Sequence, residues 1–263
     1  MKKSLKKTTP SSPNIPGENH LLMLLSPSER EKLCNMMDRI KTRRGDVLFK
    51  PNEPISHIHF PLSGLISVIV EMEEGGIAEV GTVGNEGMAG VPVVLGANTT
   101  PNKAFYQIPG EAMRMSVLVF REQLVKTKTF ETIMRLYAQG FLNQVSQSAA
   151  CNRLHVVKQR LCKWILLSHD QLGRGQTIHL TQEFLAQMLG VRRASVSTVA
   201  ATLQKAGFIR YRRGVIDVLN RAAIEEASCE CYSVVRKEYE RLLSYPDHGE
   251  PPDKSRRIQI KAR

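Results

Sequence analysis

The chain has 263 residues, a formal net charge of +12 and a sequence pI of about 9.7, and 42% of its residues are hydrophobic. This length allows two ordinary domains, and the hydrophobic content excludes a chain that is disordered throughout. No apolar run approaches the roughly 20 residues that a membrane-spanning helix needs, so we expect no membrane partner and a cytoplasmic location. The five scattered cysteines argue against a disulfide framework.

The N-terminal segment, residues 1–19, is predicted to be a disordered basic tail. It begins MKKSLKK and lacks the apolar core that a signal peptide requires after its charged start. A short helix follows, with Ser26 as the predicted N-cap and Pro27 in the first position. We expect Leu33, Met36 and Met37 to form its apolar side.

Residues 20–125 are predicted to form a β-roll or jelly roll. Nine of the 18 glycines lie between residues 64 and 110, as expected where tight corners join many short strands. The sequence EEGG at residues 73–76 predicts a hairpin tip, and glycines at every third residue from 81 to 90 predict a tight loop. Six β-prone runs lie between Lys41 and about Phe120: VLFK, HIHFPL, LISVIVEM, AEVGTV, KAFYQI and MRMSVLVF.

A long helix is predicted over residues 126–152, within a helical pattern that begins near Phe120. Its apolar side chains recur at spacings of three and four, and a helix this apolar needs a surface to pack against. We expect a second copy of the chain to provide that surface, giving a homodimer; the alternative is packing on the helix's own β domain. The stripe comprises Ile133, Leu136, Tyr137, Phe141, Val145, Ser148 and Ala149.

Residues 153–220 are predicted to form a winged helix-turn-helix domain. Thr181 is the expected N-cap of a first helix, Gln182–Leu189, and Gly190 provides the turn. A second helix from Arg193 to about Ala206 is followed by two β-prone runs with a basic turn between them. Residues 221–263 are predicted to be one helix, capped by Asn220 and reaching about Leu243, followed by a basic tail.

The outer face of the second helix suits the major groove of double-stranded DNA. Its small residues keep the helix slim, and Arg193 at its start has the geometry to donate two hydrogen bonds to a guanine. From Arg153 onward the chain carries 20 Lys and Arg against 11 Asp and Glu, so the basic excess lies in this half. The predicted base-reading residues are Arg192, Arg193, Ser197 and Thr198. The predicted phosphate contacts are Thr181, Lys205, Arg210, Arg212 and Arg213.

The order of these parts resembles the Crp/Fnr superfamily of bacterial transcription regulators over about residues 20–220. The strongest likeness is LTQEFLAQMLGVRRASVSTVAATLQKAGFI, which resembles the family's helix-turn-helix signature. The resemblance implies an α+β fold with an N-terminal β-roll, a long dimerisation helix and a C-terminal winged helix-turn-helix. It places the family's guanine-reading arginine on Arg193, whereas Ala194 and Thr198 replace a common glutamate and a second arginine.

The resemblance further implies a homodimer that binds a palindromic operator under the control of an effector at the β-roll. An activator would also contact RNA polymerase, and the sequence does not distinguish activation from repression. In cyclic-AMP binders of this family, the carboxylate of a Gly-Glu pair holds the ribose, and the arginine of an Arg-Ser or Arg-Thr pair (the arginine pair) neutralises the phosphate. Here Gly90 keeps the glycine, but Val91 replaces the glutamate and Asn102-Lys103 replaces the arginine pair.

We therefore expect no tight cyclic-AMP binding, and a different small effector or none stays open. Lys103 offers charge but not the two-pronged hydrogen bonding of arginine. Ser148 on the long helix completes the set of candidate effector-pocket residues. No cofactor is predicted.

Metal and enzyme sites are not expected from the sequence. The iron–sulfur branch of the family uses cysteines near the N-terminus, whereas none precedes Cys34 here. Cys229 and Cys231, on the predicted helix, would point about 200° apart and lack obvious companion ligands, so burial or a minor redox role is expected. His57 and His59 share one strand face but make an incomplete set of metal ligands.

Two rival functions stay open from the sequence: a small-molecule sensor without DNA output and a cupin-like metal enzyme.

Overall fold

The computed structural model describes residues 17–172 and 177–243, and it confirms the predicted mixed architecture. A β-roll comes first, a long helix crosses it, and a winged helix-turn-helix domain follows. Two short helices open the described chain, α1 (His20–Met23) and α2 (Pro27–Cys34). Ser26 caps α2 in a capping box with Glu29, as predicted, but α2 ends before Met36 and Met37.

The β-roll consists of two antiparallel sheets whose buried side chains form one apolar cluster. The four-stranded sheet has the order β2-β6-β4-β5 and the three-stranded sheet has the order β1-β7-β3. The hairpin tip predicted at residues 73–76 lies between β4 and β5. The strands are β1 (Asp38–Lys41), β2 (Val47–Phe49), β3 (His57–Pro61), β4 (Leu65–Glu71), β5 (Ile77–Val83), β6 (Lys103–Ile108) and β7 (Glu111–Ser116); a one-turn helix, α3 (Val91–Val94), lies between β5 and β6.

Two details of the predicted β domain are wrong. The run VLVF at residues 117–120 begins a helix, α4 (Val117–Lys126), because Ser116 ends β7 and caps the helix by accepting a hydrogen bond from the amide of Val119. Strand β1 (Asp38–Lys41) lies almost entirely before Lys41, where the β-prone runs were predicted to begin. Asn19, within the predicted tail, is buried, and its side chain caps α1 and donates to the carbonyls of Pro61 and Gly87.

The long helix, α5 (Lys128–Leu154), packs most of its predicted apolar stripe inside the chain, whereas Ala149 at the end of the stripe is exposed. Tyr137 and Phe141 are buried in the β-roll cluster, and Tyr239 from the C-terminal helix stacks on Tyr137 with ring centroids 5.8 Å apart. The alternative of intramolecular packing thus describes this stripe, and the stripe is not the free surface that the dimer argument required.

The winged domain has its own apolar core and consists of helices around a three-stranded sheet of order β8-β10-β9. Its C-terminal part is not the single helix predicted from residue 221. Asn220 does cap a helix, but that helix ends at Ala227 and a second one begins at Cys231. The elements are α6 (Val157–Leu172), β8 (Ile178–His179), α7 (Gln182–Leu189), α8 (Arg193–Lys205), β9 (Ile209–Arg212), β10 (Val215–Val218), α9 (Arg221–Ala227) and α10 (Cys231–Leu243).

The two domains touch through specific polar and aromatic contacts. The indole of Trp164 on α6 donates to the Glu79 carboxylate on β5 over 3.2 Å, and Ser67 donates to the other oxygen of that carboxylate. The rings of Phe105 and Phe184 meet edge to face, with centroids 6.2 Å apart. The winged domain is therefore docked on the β-roll of its own chain.

None of the helices in the described ranges combines the length and the apolar character needed to cross a membrane. The predicted basic tails at residues 1–16 and 244–263 lie outside the described residues.

Candidate nucleic-acid interface

The first helix of the motif is set by local interactions that the sequence predicts. The Thr181 side chain accepts a hydrogen bond from the amide of Phe184, which caps the N-terminus of α7. Leu185 and Leu189 are buried below it. Gly190 ends the helix in the left-handed conformation (φ 60°), a backbone region that favours glycine.

The second helix, α8, exposes the face predicted to read bases. Val196 and Leu203 are fully buried, while Arg192, Arg193 and Thr198 are exposed at its N-terminal half. The guanidinium donors of Arg193 are therefore accessible to a DNA groove, while the apolar side of α8 packs on the rest of the domain.

Two hydroxyl groups on α8 are already hydrogen-bonded within the domain. Ser197 donates to the Gln182 side chain on α7 over 2.5 Å, and Thr198 donates to the carbonyl of Ala194 over 3.0 Å. Ser197 is half-buried, so it contributes to the base-reading surface less directly than Arg193. Gln182 was missed from the sequence, since only the packing of α7 against α8 brings it to this surface.

The wing is a tight two-residue hairpin with arginine at its tip. Arg213 (φ 48°) and Gly214 (φ 80°) both have positive φ, as a type I′ hairpin turn requires. Arg212, predicted at the turn, is the last residue of β9 instead. Tyr211 ties the wing to the domain, because its amide donates to Gln204 on α8 and its hydroxyl donates to the carbonyl of Leu180.

The five predicted phosphate contacts are not equivalent. Thr181, Lys205, Arg212 and Arg213 are exposed, and among the described residues the two wing arginines have no ion-pair partner. Arg210, in contrast, forms an ion pair with Asp217 on β10 at 2.8 Å. Its charge is therefore partly neutralised before any nucleic acid binds.

The predicted effector residues do not come together in one pocket. Val91 is buried at the start of α3, and Gly90 (φ 125°) precedes it with Ile58 in the space that a β-carbon would occupy. Lys103 forms an ion pair with Glu71 at 2.9 Å, and the amide of Asn102 bonds to Thr100. These contacts serve packing within the β-roll.

Ser148 alone of the five lines the cavity between the β-roll and the winged domain. The cavity has a volume of about 40 Å³, far below the roughly 300–1,000 Å³ typical of small-molecule sites. Glu79 also lines this cavity. Its burial at the contact between the domains raises the pKa of its carboxyl to about 7. The cavity therefore holds a carboxyl that titrates near neutral pH and has no space for a nucleotide.

The histidine and cysteine predictions have different outcomes. His59 is buried against the hydroxyl of Tyr106, 3.2 Å away, which agrees with a packing role. The prediction that Cys229 and Cys231 point apart on one helix is wrong, because Cys229 lies in the break before α10. Both thiols face Cys151 and His155 from the end of α5, companions that the sequence alone did not reveal.

Comparison with known proteins agrees with this geometry. A family model described as the Crp-like helix-turn-helix domain matches residues 159–227. The comparison with curated protein sequences finds no match.

Similar solved structures share the fold at low identity. A Crp/Fnr-family regulator from Eubacterium rectale is 12% identical, with 82% of this chain and 99% of that chain covered and a TM-score of 0.62. The c-di-GMP-responsive regulator CLP of Xanthomonas campestris is 16% identical, with coverages of 73% and 99% and a TM-score of 0.57. FixK2 of Bradyrhizobium japonicum is 11% identical, with coverages of 73% and 98% and a TM-score of 0.61. This chain thus carries a Crp-like helix-turn-helix domain within the fold of the Crp/Fnr regulators.

Proposed function

We propose that this protein is a transcription regulator that binds a palindromic DNA operator as a homodimer. The observation that carries the proposal is the exposed N-terminal half of α8 beside two wing arginines without ion-pair partners in the described chain. An Arg-led helix fits a major groove, and flanking cations fit the phosphates on either side of it.

Within this surface the residues divide into two roles. Arg193 and Thr198 read base edges directly, while Arg192 and Ser197 sit beside them and adjust the approach of the helix. Phosphates are contacted by exposed side chains at the start of α7, the end of α8 and the wing: Thr181, Lys205, Arg210, Arg212 and Arg213.

A homodimer is supported by the outward face of α5, opposite the stripe that packs on the β-roll. Exposed residues recur there with alternating spacings of four and three, the heptad pattern of paired helices. The central side chains are Leu142, which is 47% exposed, and two small residues that allow close approach of a second helix. The face comprises Arg135, Gln139, Leu142, Ser146, Ala149 and Arg153.

Control by a small effector is supported by the contact between the two domains. The bond from Trp164 to Glu79 and the edge-to-face pair of Phe105 and Phe184 fix the winged domain on the β-roll. An effector that binds one docked arrangement better than another would shift the spacing of two recognition helices in a dimer. Cyclic AMP is a poor fit, because Val91 is buried and Lys103 is paired with Glu71.

Selection of binding sites from random duplex DNA tests the proposal. Purified protein at physiological salt should enrich an inverted repeat whose half-sites lie about 34 Å apart, one helical turn. Analytical ultracentrifugation of the selected complex should give two chains per duplex. Recovery of a single half-site by one chain would contradict the dimer, and recovery of no motif, with or without added cyclic dinucleotides, would contradict sequence-specific binding.

A further inference from the structure

Four metal-ligating side chains meet where the long helix ends and the C-terminal helix begins. Cys151 lies in the last turn of α5 and His155 follows that helix, while Cys229 precedes α10 and Cys231 is its first residue. Their sulfur and nitrogen atoms all lie within 4.8 Å of one another. The three thiols are almost fully buried and form a cluster separate from both domain cores.

The distances fit four ligands around one small ion. The sulfurs of Cys151 and Cys229 are 3.6 Å apart, and Nδ1 of His155 is 3.4 Å from the sulfur of Cys231. A tetrahedral zinc ion, with Zn–S of about 2.3 Å and Zn–N of about 2.0–2.1 Å, separates two sulfur ligands by about 3.8 Å and sulfur from nitrogen by about 3.6 Å. The cysteine pair is also well outside the roughly 2.05 Å of a disulfide bond.

The groups around the cluster are those that support a thiolate–imidazole metal site. Nε2 of His155 is 3.2 Å from a carboxylate oxygen of Glu230, which leaves Nδ1 directed at the cysteines. A metal-bound histidine characteristically bonds to a carboxylate in this way through its other nitrogen. The Gln147 amide donates to the sulfur of Cys231 over 3.1 Å, which stabilises negative charge on that atom.

Positive charge next to the cluster completes the electrostatic fit. Three thiolates and a divalent cation carry a net charge of −1, which is costly to bury unless it is compensated. Arg160, only 7% exposed, interacts electrostatically with Cys151 and Cys229, and Lys163 interacts with Cys151. Both side chains lie on α6, so the surrounding protein supplies the compensation.

We propose that Cys151, His155, Cys229 and Cys231 bind one zinc ion in a tetrahedral Cys₃His site. Thiolates exclude magnesium and calcium, which require oxygen ligands, and four protein ligands leave no open position for catalysis. The site is therefore structural. It closes a loop from His155 to Cys229 that contains the whole helix-turn-helix, so the ion fixes where this unit leaves and rejoins the long helix.

Metal analysis of the full-length protein, purified without chelators, tests the proposal. We expect about one molar equivalent of zinc in the natural protein and in the control Cys34→Ser, whose thiol lies on α2 outside the cluster. Cys229→Ser and Cys231→Ser should each retain less than about a tenth of that zinc. Exchange with cobalt should give intense visible bands and thiolate-to-metal charge-transfer bands, the signature of a tetrahedral thiolate site.

The position of His155 keeps the test independent of folding, because this side chain is not fully buried. His155→Cys should retain the zinc as a Cys₄ site, whereas His155→Ala should weaken its binding at least tenfold in competition with a chelator. Four outcomes would overturn the proposal: no metal with five free thiols, three free thiols indicating a disulfide, iron in place of zinc, or zinc retained by a Cys229→Ser/Cys231→Ser double variant.

Discussion

The β-roll and the winged domain differ in how available their predicted contact residues are. In the winged domain all the predicted contact residues except the half-buried Ser197 are exposed, and Arg212 and Arg213 of the wing have no ion-pair partner among the described residues. In the β-roll two of the predicted effector-binding residues already take part in intramolecular contacts: Val91 is buried, and Lys103 is paired with Glu71. The β-roll is thus maintained by apolar and glycine positions and does not depend on polar ligand contacts, whereas the proposed DNA surface depends on exposed charged residues.

The strongest test of this contrast is truncation of the winged domain's core. Leu203 lies on the inner face of α8 and is fully buried. Leu203→Ala should therefore lower the free energy of unfolding of the winged domain by about 2–5 kcal/mol and abolish DNA binding. Because the β-roll has a separate core, its own unfolding transition should be preserved. Leu219→Ala is the matched control, since Leu219 is 55% exposed. Loss of the β-roll transition together with that of the winged domain in urea unfolding would contradict two independent cores.

Loss of the base-reading arginine should have the next largest effect. Arg193→Ala should reduce the free energy of binding to the selected operator by roughly 1–3 kcal/mol and relax the sequence preference at one base pair of each half-site. Fluorescence anisotropy with the operator and with single-base variants measures both quantities. Arg39→Ala, which removes an arginine from the β-roll, should change neither. An unchanged base preference in Arg193→Ala would mean that a different face of the domain reads DNA.

The wing arginines should affect affinity without affecting sequence preference. Arg212→Ala should weaken operator and unrelated DNA equally and reduce the salt dependence of binding by about one phosphate contact. Arg210→Ala should have a smaller effect, because Arg210 is already paired with Asp217. Anisotropy titrations across a salt series give the slopes. A steeper loss in Arg210→Ala than in Arg212→Ala would show that the ion pair opens on binding.

The contact between the domains should depend modestly on pH. Burial raises the pKa of Glu79 to about 7, well above the usual range of a glutamate, so the protonated form stabilises the folded state. That contribution is complete below about pH 4.5 and is lost as the pH rises through about 7. Glu79→Gln keeps a hydrogen-bond acceptor for Trp164 but cannot ionise, so its stability curve should be flatter between pH 5 and 8. A variant curve parallel to the natural one would assign the pH dependence elsewhere.

Sequence reasoning succeeds here where the structure is decided by neighbouring residues. The Thr181 cap and the Gly190 turn are local interactions, and both ends of α7 were predicted to the residue. The prediction of a strand at residues 117–120 is wrong, because four apolar residues are compatible with either a strand or a helix. The N-cap provided by Ser116 selects the helix.

Long-range relations were beyond the same reasoning. Cys151 and Cys229 are 78 residues apart, and only the packing of α10 along α5 brings their sulfurs together. The apolar stripe of α5 was correctly placed, but periodicity gives no information on which surface covers it. The pairing of Ser197 with Gln182 is similar, because it depends on the crossing of two helices.

The backbone of the wing tip sets a trade-off that protein engineering would meet. Arg213 occupies the left-handed region at φ 48°, where a non-glycine residue is strained by about 1–2 kcal/mol. Arg213→Gly should therefore raise the melting temperature of the winged domain while removing a cation that we propose contacts DNA phosphate. Selection for thermostability alone would favour that change and weaken the proposed DNA binding, so stability and affinity compete at this one position.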